Sequence, residues 1–377
     1  MIYDRKKQHL LLDGSVYTPE EISRHVAEGT EKDPSAMRDL FLFLNEWFND
    51  SPVITVHTSG STGTPKELAA NKDRMMQSAR LTCEYLNLQQ GDTALLCMNL
   101  RHIGAMMMVV RSLVASLNLV VRPASAHPLA AEISGSLKFA AMVPLQVYHT
   151  LQIPEEKERL ERTEILIIGG SAVDEDLEAE IKSLPTAVYS TYGMTETLSH
   201  IALRRLNGSS ASGHYHPFSS VKLSLSSEGT LIIEAPLVCN EILQTNDIAH
   251  IYPDGSFSIS GRKDNVINSG GIKIQTEEIE KKLRSLISAP FAVTSIPDRR
   301  LGQALVLLVA GSPDVKEIKD KLPAMLESYH RPKHIFMTAS IPQTENGKTD
   351  RAGCRTLALQ EFELMEQKAI IQSPINS

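Results

Sequence analysis

His57-Thr58-Ser59-Gly60-Ser61-Thr62-Gly63-Thr64-Pro65-Lys66 is a run of glycine and hydroxylated residues closed by a cation. It follows an apolar stretch, 52–56, that reads as a buried strand. It precedes 67–88, whose periodicity predicts a helix. A strand, a Ser/Thr/Gly loop and a helix in that order make a phosphate cradle. Glycines let the backbone approach an anion, successive N–H groups form a concave nest, hydroxyls add donors, and Lys66 adds charge. Thr58, Ser59, Gly60, Ser61, Thr62, Gly63 and Lys66 are therefore candidate phosphate ligands. The plain alternative is a flexible turn, against which the flanking elements argue. The run is not the common P-loop, which ends in Gly-Lys-[Ser/Thr]; here Pro65-Lys66 closes it and Glu67 follows.

Working outward, strand-like and helix-like runs alternate through 51–199. Strands are predicted over 93–98, 119–122, 139–143, 164–168 and 187–191, and helices over 105–115, from 145, and over 174–184. Such alternation points to a mostly parallel sheet covered by helices. Gly169-Gly170-Ser171 ends one of these strands and is a candidate nucleotide contact, since ligands of open α/β sheets sit beyond the strands' carboxyl ends. After Gly208 the character changes. Hairpin signals at Ser227-Glu228-Gly229 and Pro253-Asp254-Gly255 mark an antiparallel region. From about Gly261 a compact α+β unit follows, with an amphipathic helix over 276–286, strands over 292–296 and 305–310, a helix over 315–329 and a strand over 334–337. The fold class is α/β: a large N-terminal domain, 1–263, and a small α+β C-terminal domain, 264–377.

The chain has 377 residues, 42% hydrophobic and 22% charged, with a net charge of −7. That balance argues for a globular protein and against a nucleic-acid partner, which needs a basic footprint. Cys83, Cys97, Cys239 and Cys354 form no C-x-x-C pair, which argues for a reducing cytoplasmic setting. The most apolar region, 103–121, contains Arg111, Ser112, Ser116 and Asn118. It reads as a core helix and buried strand, with the Met106-Met107-Met108 run as packing, and not as a membrane span.

Four further clusters carry chemistry. In Tyr189-Ser190-Thr191-Tyr192-Gly193-Met194-Thr195-Glu196-Thr197, the Tyr192 ring can stack on a purine beside Gly193, Thr195 can donate to a phosphate, and Glu196 can hold Mg²⁺ together with substrate phosphates. Alone, this is a polar turn with an aromatic residue. The second cluster joins Gln244-Thr245-Asn246-Asp247 to Gly261-Arg262-Lys263-Asp264; two charged β-turns are its plain reading. The third is Asn268-Ser269-Gly270-Gly271-Ile272-Lys273-Ile274, where paired glycines permit close approach of a narrow ligand. The fourth is 342–351, with Lys348 on a loop. His214-Tyr215-His216 lacks a Cys or carboxylate to complete a metal site, and Lys281-Lys282-Arg284 reads as a solvated helix face.

Taken in order, five motifs between Thr58 and Arg351 resemble the signatures of the adenylate-forming, or AMP-binding, superfamily. The resemblance implies that an acid and MgATP give an acyl-adenylate and pyrophosphate, after which a thiol, most often CoA, displaces AMP. It implies that Asp247 and Arg262 grip the ribose, that Asp264 is the interdomain hinge, and that Gly270-Gly271 line a pantetheine tunnel. Lys348 becomes the adenylation lysine, whose ammonium stabilises charge built up at the α-phosphate. The short length and the stretches Ser199-His200-Ile201-Ala202-Leu203-Arg204 and 264–271 look like the o-succinylbenzoate–CoA ligase branch of menaquinone biosynthesis. His102-Ile103-Gly104 falls on the acyl-pocket motif, followed by Ala105-Met106 where short-form ligases commonly have Gly-Lys. A dianionic acid wants a cation nearby, and Arg101, His200 or Arg204 are the candidates. Other readings stay open: another aryl or fatty acid, a carrier-protein thiol as acceptor, or a non-catalytic nucleotide-binding relative.

Overall fold

The computed structural model describes residues 1, 4–58, 66–344 and 348–372. It contains two compact units. One holds residues 1–224, 232–243 and 251–258; the other holds 225–231, 244–250 and 259–377. No helix among the described residues is long and apolar enough to cross a membrane.

The first unit opens with β1 (Leu10–Leu12), β2 (Ser15–Tyr17), α1 (Pro19–Glu28) and α2 (Ser35–Phe48). Then come β3 (Val53–Thr58), β4 (Lys66–Asn71), α3 (Lys72–Tyr85), β5 (Thr93–Leu96), α4 (Ile103–Ala115) and β6 (Asn118–Val121). They are followed by β7 (Phe139–Met142), α5 (Pro144–Gln152), α6 (Pro154–Glu161), β8 (Ile165–Ile168) and α7 (Glu175–Ile181), and by β9 (Ala187–Gly193), β10 (His200–Arg205) and β11 (His216–Pro217). One nine-stranded sheet runs β11-β10-β9-β8-β7-β5-β6-β1-β2. Its centre, from β9 to β1, is parallel, and antiparallel partners close both ends. The central strands are nearly all apolar, as strands covered on both faces must be. Leu95, Ala140, Leu166, Ile168 and Val188 are fully or almost fully buried in one core with Val147, Leu160 and Ile181 from the covering helices.

The helix expected over 67–88 is corrected. Residues Lys66–Asn71 form β4, which pairs antiparallel with β3 from Val53↔Asn71 to Thr58↔Lys66. The loop is therefore flanked by two strands, and the helix begins only at Lys72. Glu67-Leu68-Ala69-Ala70 has good helix formers, yet tertiary pairing overrides a weak local preference. The helix start is written in Asn71, whose side chain accepts from the Arg74 N–H as an N-cap. Ser59, Gly60, Ser61, Thr62 and Gly63 lie outside the described residues, and of Thr58 and Lys66 only the backbone is described.

Four strands, β12 (Lys222–Leu225), β13 (Thr230–Glu234), β14 (Leu243–Ile251) and β15 (Phe257–Arg262), form a sheet in that order. Its tight turns carry Gly229 and Gly255, both with positive φ, where the sequence signals hairpins.

In the second unit the chain continues as β16 (Val266–Ser269), β17 (Ile272–Gln275), α8 (Thr276–Leu283), β18 (Phe291–Asp298), β19 (Gly302–Ala310), α9 (Val315–Met325), β20 (His334–Thr338) and α10 (Arg351–Gln372). β19 pairs antiparallel with β18 along its length and parallel with β20. The two-residue periodicity of β19 separates two cores. Leu305, Leu307 and Val309 pack with Ile279 and Leu283 of α8 and with Ile318 and Leu322 of α9. Ala304, Val306 and Leu308 pack with Cys354 and Ala358 of α10. The sequence reading has no counterpart for α10, whose apolar residues are scattered, nor for β1, β2, α1, α2 and α6.

Candidate active site

In the first unit, the ends of β8 and β9 come together. Gly169 N–H donates to the Met142 carbonyl (3.1 Å), and a Cβ on Gly169 would fall 2.6 Å from Thr191 Oγ1. That close approach sets the turn of Gly169, Gly170 and Ser171 beside Thr191-Tyr192. Gly170 takes φ +87, which favours glycine. Gly193 has no room for a side chain, because a Cβ there would meet the Ser199 carbonyl and His200 Cα. The Tyr192 ring is half-buried, edge-on to Phe257 (5.1 Å) and tilted on Tyr215 (5.8 Å). Tyr215 in turn lies 3.0 Å from Ser190 by its hydroxyl, and His214 stacks on Tyr252. These contacts assign His214 and Tyr215 to aromatic packing, while His216 is exposed and meets the Ser212 hydroxyl (3.3 Å).

The turn after β9 is tightly tied. Thr197 Oγ1, buried, accepts from the Met194 N–H (3.0 Å) and donates to the Ser199 carbonyl (2.7 Å). Leu198 is forced to φ +63, a strained conformation for a branched side chain of the kind that collects at functional sites. The turn presents Thr195 half-exposed and Glu196 exposed. Glu196 has no hydrogen-bond or ion-pair partner among the described residues. A lone open carboxylate on a rigid turn suits a hard cation that takes its remaining ligands from phosphates and water. Among the described residues no cluster of three metal-ligating side chains exists.

Behind this turn lies a group that the sequence reading counts only as core. Arg111 of α4 is 1% exposed. Its Nη2 donates to Ser199 Oγ (2.8 Å), its Nη1 faces Met108 Sδ, and its Nε has no partner. Among the described residues it pairs with no carboxylate. Burial lowers its pKa to about 10. His200, also buried, hydrogen-bonds Thr82 Oγ1 (3.0 Å). Burial, then the charge of Arg111, hold its pKa well below the usual value. His200 is thus a neutral ring, which corrects its candidacy as a cation. Arg204 is already engaged, bidentate on Glu178 (3.1 and 2.7 Å). Arg101 and His102 are exposed just before α4, ten and nine residues from Arg111 and so roughly 14 Å from it along the helix. An arginine inside a stretch otherwise written in Met, Val and Leu was the signal available for Arg111.

The second unit gathers the other charged candidates. Arg262 forks onto Asp264 (2.9 and 2.8 Å) and reaches Asp247 with Nη1 (3.3 Å). The guanidinium hydrogen bonds lower the Asp264 pKa. Lys348 stands at the foot of a closed loop, where Thr344 N–H donates to the Lys348 carbonyl (2.8 Å) and Asp350 N–H to the Pro342 carbonyl (2.9 Å). Its ammonium pKa is lowered by desolvation and then by Arg262, against an upward pull from Asp247. The side chain reaches the surface. Arg351, next to that loop, grips Glu280 bidentate (2.5 and 2.7 Å), and Glu280 also accepts from the Val293 N–H (2.8 Å). The loop is thereby anchored to α8 and β18. Gly270-Gly271 form the two-residue turn between β16 and β17, both with positive φ (60° and 85°), the geometry of a type I′ hairpin.

The chain matches the AMP-binding enzyme family over residues 5–231 and the C-terminal domain of AMP-binding enzymes over 288–348. Similar curated proteins include the 2-succinylbenzoate–CoA ligase of Lactococcus lactis, 24% identical over 81% of this chain and 71% of that one. That of Geobacillus is 26% identical over 85% and 72%. Among solved structures, an acyl-CoA synthetase (AMP-forming)/AMP-acid ligase II-like protein from Dyadobacter fermentans is 32% identical, covering 88% of this chain and 96% of that one, with a TM-score of 0.59. The o-succinylbenzoate coenzyme A synthetase of Bacillus subtilis, solved with ATP and magnesium ion, shares the fold at 20% identity, covering 79% and 68%, with a TM-score of 0.68.

Proposed function

The chain belongs to the AMP-binding enzyme family, and from that premise we propose that it is an acid–CoA ligase whose acid is the dianion o-succinylbenzoate. In the first half-reaction a carboxylate oxygen attacks the α-phosphorus of ATP, the bond to pyrophosphate breaks, and an acyl-adenylate forms. In the second, the CoA sulfur attacks the acyl carbon, the bond to AMP breaks, and the thiol proton leaves to solvent.

The residues take the following parts. Gly169, Gly170, Ser171, Tyr192 and Gly193 receive the base and sugar, Thr195 donates to phosphate, and Asp247 with Arg262 hold the ribose hydroxyls. Lys348 stabilises the negative charge that grows at the α-phosphate. Magnesium bound with the triphosphate fits the open carboxylate of Glu196 and would neutralise phosphate charge there. The phosphate loop, Thr58 to Lys66, cradles the pyrophosphate end. Asp264, whose carboxylate Arg262 holds, serves as the hinge of the small C-terminal domain, 264–377.

Arg111 is the observation that carries the substrate. A buried guanidinium without a counter-charge is costly, and a second carboxylate on the substrate would supply the missing charge. Its hydrogen-bond partner Ser199 borders Gly193, next to the turn that presents Thr195 and Glu196. A neutral His200, held between Thr82 and Ser199, adds no charge.

The test is mass spectrometry of the protein incubated with MgATP, CoA and o-succinylbenzoate. The expected product is o-succinylbenzoyl-CoA with AMP. Pyrophosphate release with other acids but none with this one overturns the substrate and keeps the reaction type. ATP binding without pyrophosphate release from any acid overturns both.

A further inference from the structure

Behind the turn that follows β9, four side chains form one hydrogen-bonded line. Thr82 of α3 is fully buried, and its hydroxyl donates to the Ser78 carbonyl one helical turn earlier (3.2 Å), a back-bond common for threonine within a helix. That bond uses the only proton the hydroxyl has. Toward His200 Nε2, 3.0 Å away, Thr82 can therefore only accept, so Nε2 carries the ring proton. His200 is neutral, its pKa held down by burial and then by Arg111, and a neutral imidazole has one N–H and one bare nitrogen. Nδ1 is the bare one, and Ser199 Oγ, 3.4 Å from it, is the donor of that pair. With its proton turned to His200, Ser199 presents lone pairs to Arg111, whose Nη2 donates to it (2.8 Å). Each link thus has one direction, running from the guanidinium through Ser199, His200 and Thr82 to the backbone of α3. Ser199 is also the only oxygen acceptor that Arg111 has among the described residues. Nη1 meets only Met108 Sδ (3.8 Å), and Nε has no partner.

We infer that Thr82 is a positioning residue for the acid: it fixes which nitrogen of His200 holds the proton, and through Ser199 it sets the direction of the Arg111 guanidinium. This rests on the reading that Arg111 receives the second carboxylate of the substrate. Without the Thr82 acceptor, the ring is free to carry its proton on Nδ1. Nδ1–H then donates to Ser199, which two donors must share, and the Ser199 proton loses the acceptor it had. A donor left unsatisfied in a dry site is costly, so the hydroxyl turns elsewhere and the guanidinium loses its one fixed contact. A planar fork binds a carboxylate bidentately only when its orientation is held. Thr82 touches neither substrate nor nucleotide in this scheme and acts only through its neighbours.

The experiment compares the wild type with Thr82→Val, which keeps the shape and removes the acceptor, and with Thr82→Ser, which keeps the hydroxyl. Imidazole nitrogen NMR of the ¹⁵N-labelled proteins reads the His200 tautomer, the signal being assigned by its loss in His200→Gln. A protonated Nε2 and a bare Nδ1 are expected in the wild type and in Thr82→Ser, and a mixture of tautomers in Thr82→Val. In acid-dependent pyrophosphate exchange, Thr82→Val should raise KM for o-succinylbenzoate by about tenfold, the equivalent of one buried hydrogen bond. It should leave kcat and KM for ATP within about twofold, and Thr82→Ser should restore the acid KM. A wild-type ring protonated on Nδ1 overturns the relay, and needs no variant to be seen. A tautomer shift without a change in acid KM, or an equal loss in kcat and in both KM values, overturns the positioning role. Wild-type protein that exchanges pyrophosphate with other acids but not with o-succinylbenzoate overturns the substrate reading and the role of Thr82 toward that acid, whereas the tautomer is read without any substrate.

Discussion

Arg111 and Arg262, one in each unit, are held in opposite ways. Arg111 in the first is buried, has one Nε without a partner, and faces no carboxylate among the described residues. Arg262 in the second is partly open to solvent and carries two carboxylates, Asp264 and Asp247. Under the proposed function, this difference follows the charge of what each group meets. A compensated Arg–Asp pair offers donors and acceptors to a neutral diol such as ribose without a net field. An uncompensated guanidinium in a dry site is suited to an anion, which restores neutrality on arrival. The free protein bears the cost of the isolated charge, and substrate binding recovers it.

The largest effect is expected at Lys348, which under the proposed function acts on the phosphorus chemistry alone. Lys348→Ala should reduce adenylation, read as acid-dependent pyrophosphate exchange, by about a hundredfold or more. Thioester formation from supplied acyl-adenylate should persist. Equal loss in both halves would remove Lys348 from the role assigned to it. Next comes Arg111→Met, which tests the comparison directly. KM for o-succinylbenzoate should rise by roughly a hundredfold, because a desolvated charged contact is lost. The unliganded protein should become more stable by about 1–3 kcal/mol in denaturant titration, since an uncompensated buried charge has been replaced by a hydrophobe. A variant that binds poorly and is also less stable would show Arg111 to be a structural cation. Asp247→Asn is the counterpart in the second unit. It should raise the KM for ATP by about tenfold and change stability by less than about 1 kcal/mol, as a half-open ion pair contributes little. It should also lower the Lys348 pKa further, because Asp247 is the group that raises it, moving the alkaline limb of the adenylation pH profile downward.

How much of this was legible in the sequence differs between the units for a physical reason. The parallel strands were visible because a strand covered on both faces must be apolar along its whole length, as in Ile165–Ile168. Asp247 and Arg262 were grouped in advance only through the resemblance to the AMP-binding signatures; read alone, their stretches were two charged β-turns. Two features were not. Residues 66–71 have a helical composition but are held as a strand by six cross-strand pairs with β3, and such pairing has no local signature. Arg111 was visible as a residue and not as a site. Helical periodicity places it on a core face, and only the arrival of Ser199 and His200 from β9–β10 shows that no carboxylate among the described residues answers its charge. Burial without a counter-charge among the described residues is a three-dimensional property, so the sequence offered the cation and withheld the absence of a carboxylate beside it.

The smallest expected effect concerns His200, and it separates the two halves of the Arg111 argument. The His200 pKa in the folded protein lies below its ordinary 6.5, through burial first and Arg111 second. Between those two values the unfolded chain takes up a proton that the folded chain refuses, so stability is full above about pH 6.5 and declines as pH falls toward the folded value. Denaturant titrations at pH 7.5 and pH 5.5 should therefore differ in the wild type, and the difference should shrink in His200→Gln, whose amide can still meet Thr82. In Arg111→Met the difference should also shrink, but only in part, since burial, the larger cause, remains. If Arg111→Met removed the acid limb completely, the guanidinium and not burial would be holding the ring neutral. If it left the limb untouched, the charge of Arg111 would be answered by something other than substrate, and the contrast between the two units would have to be drawn on other residues.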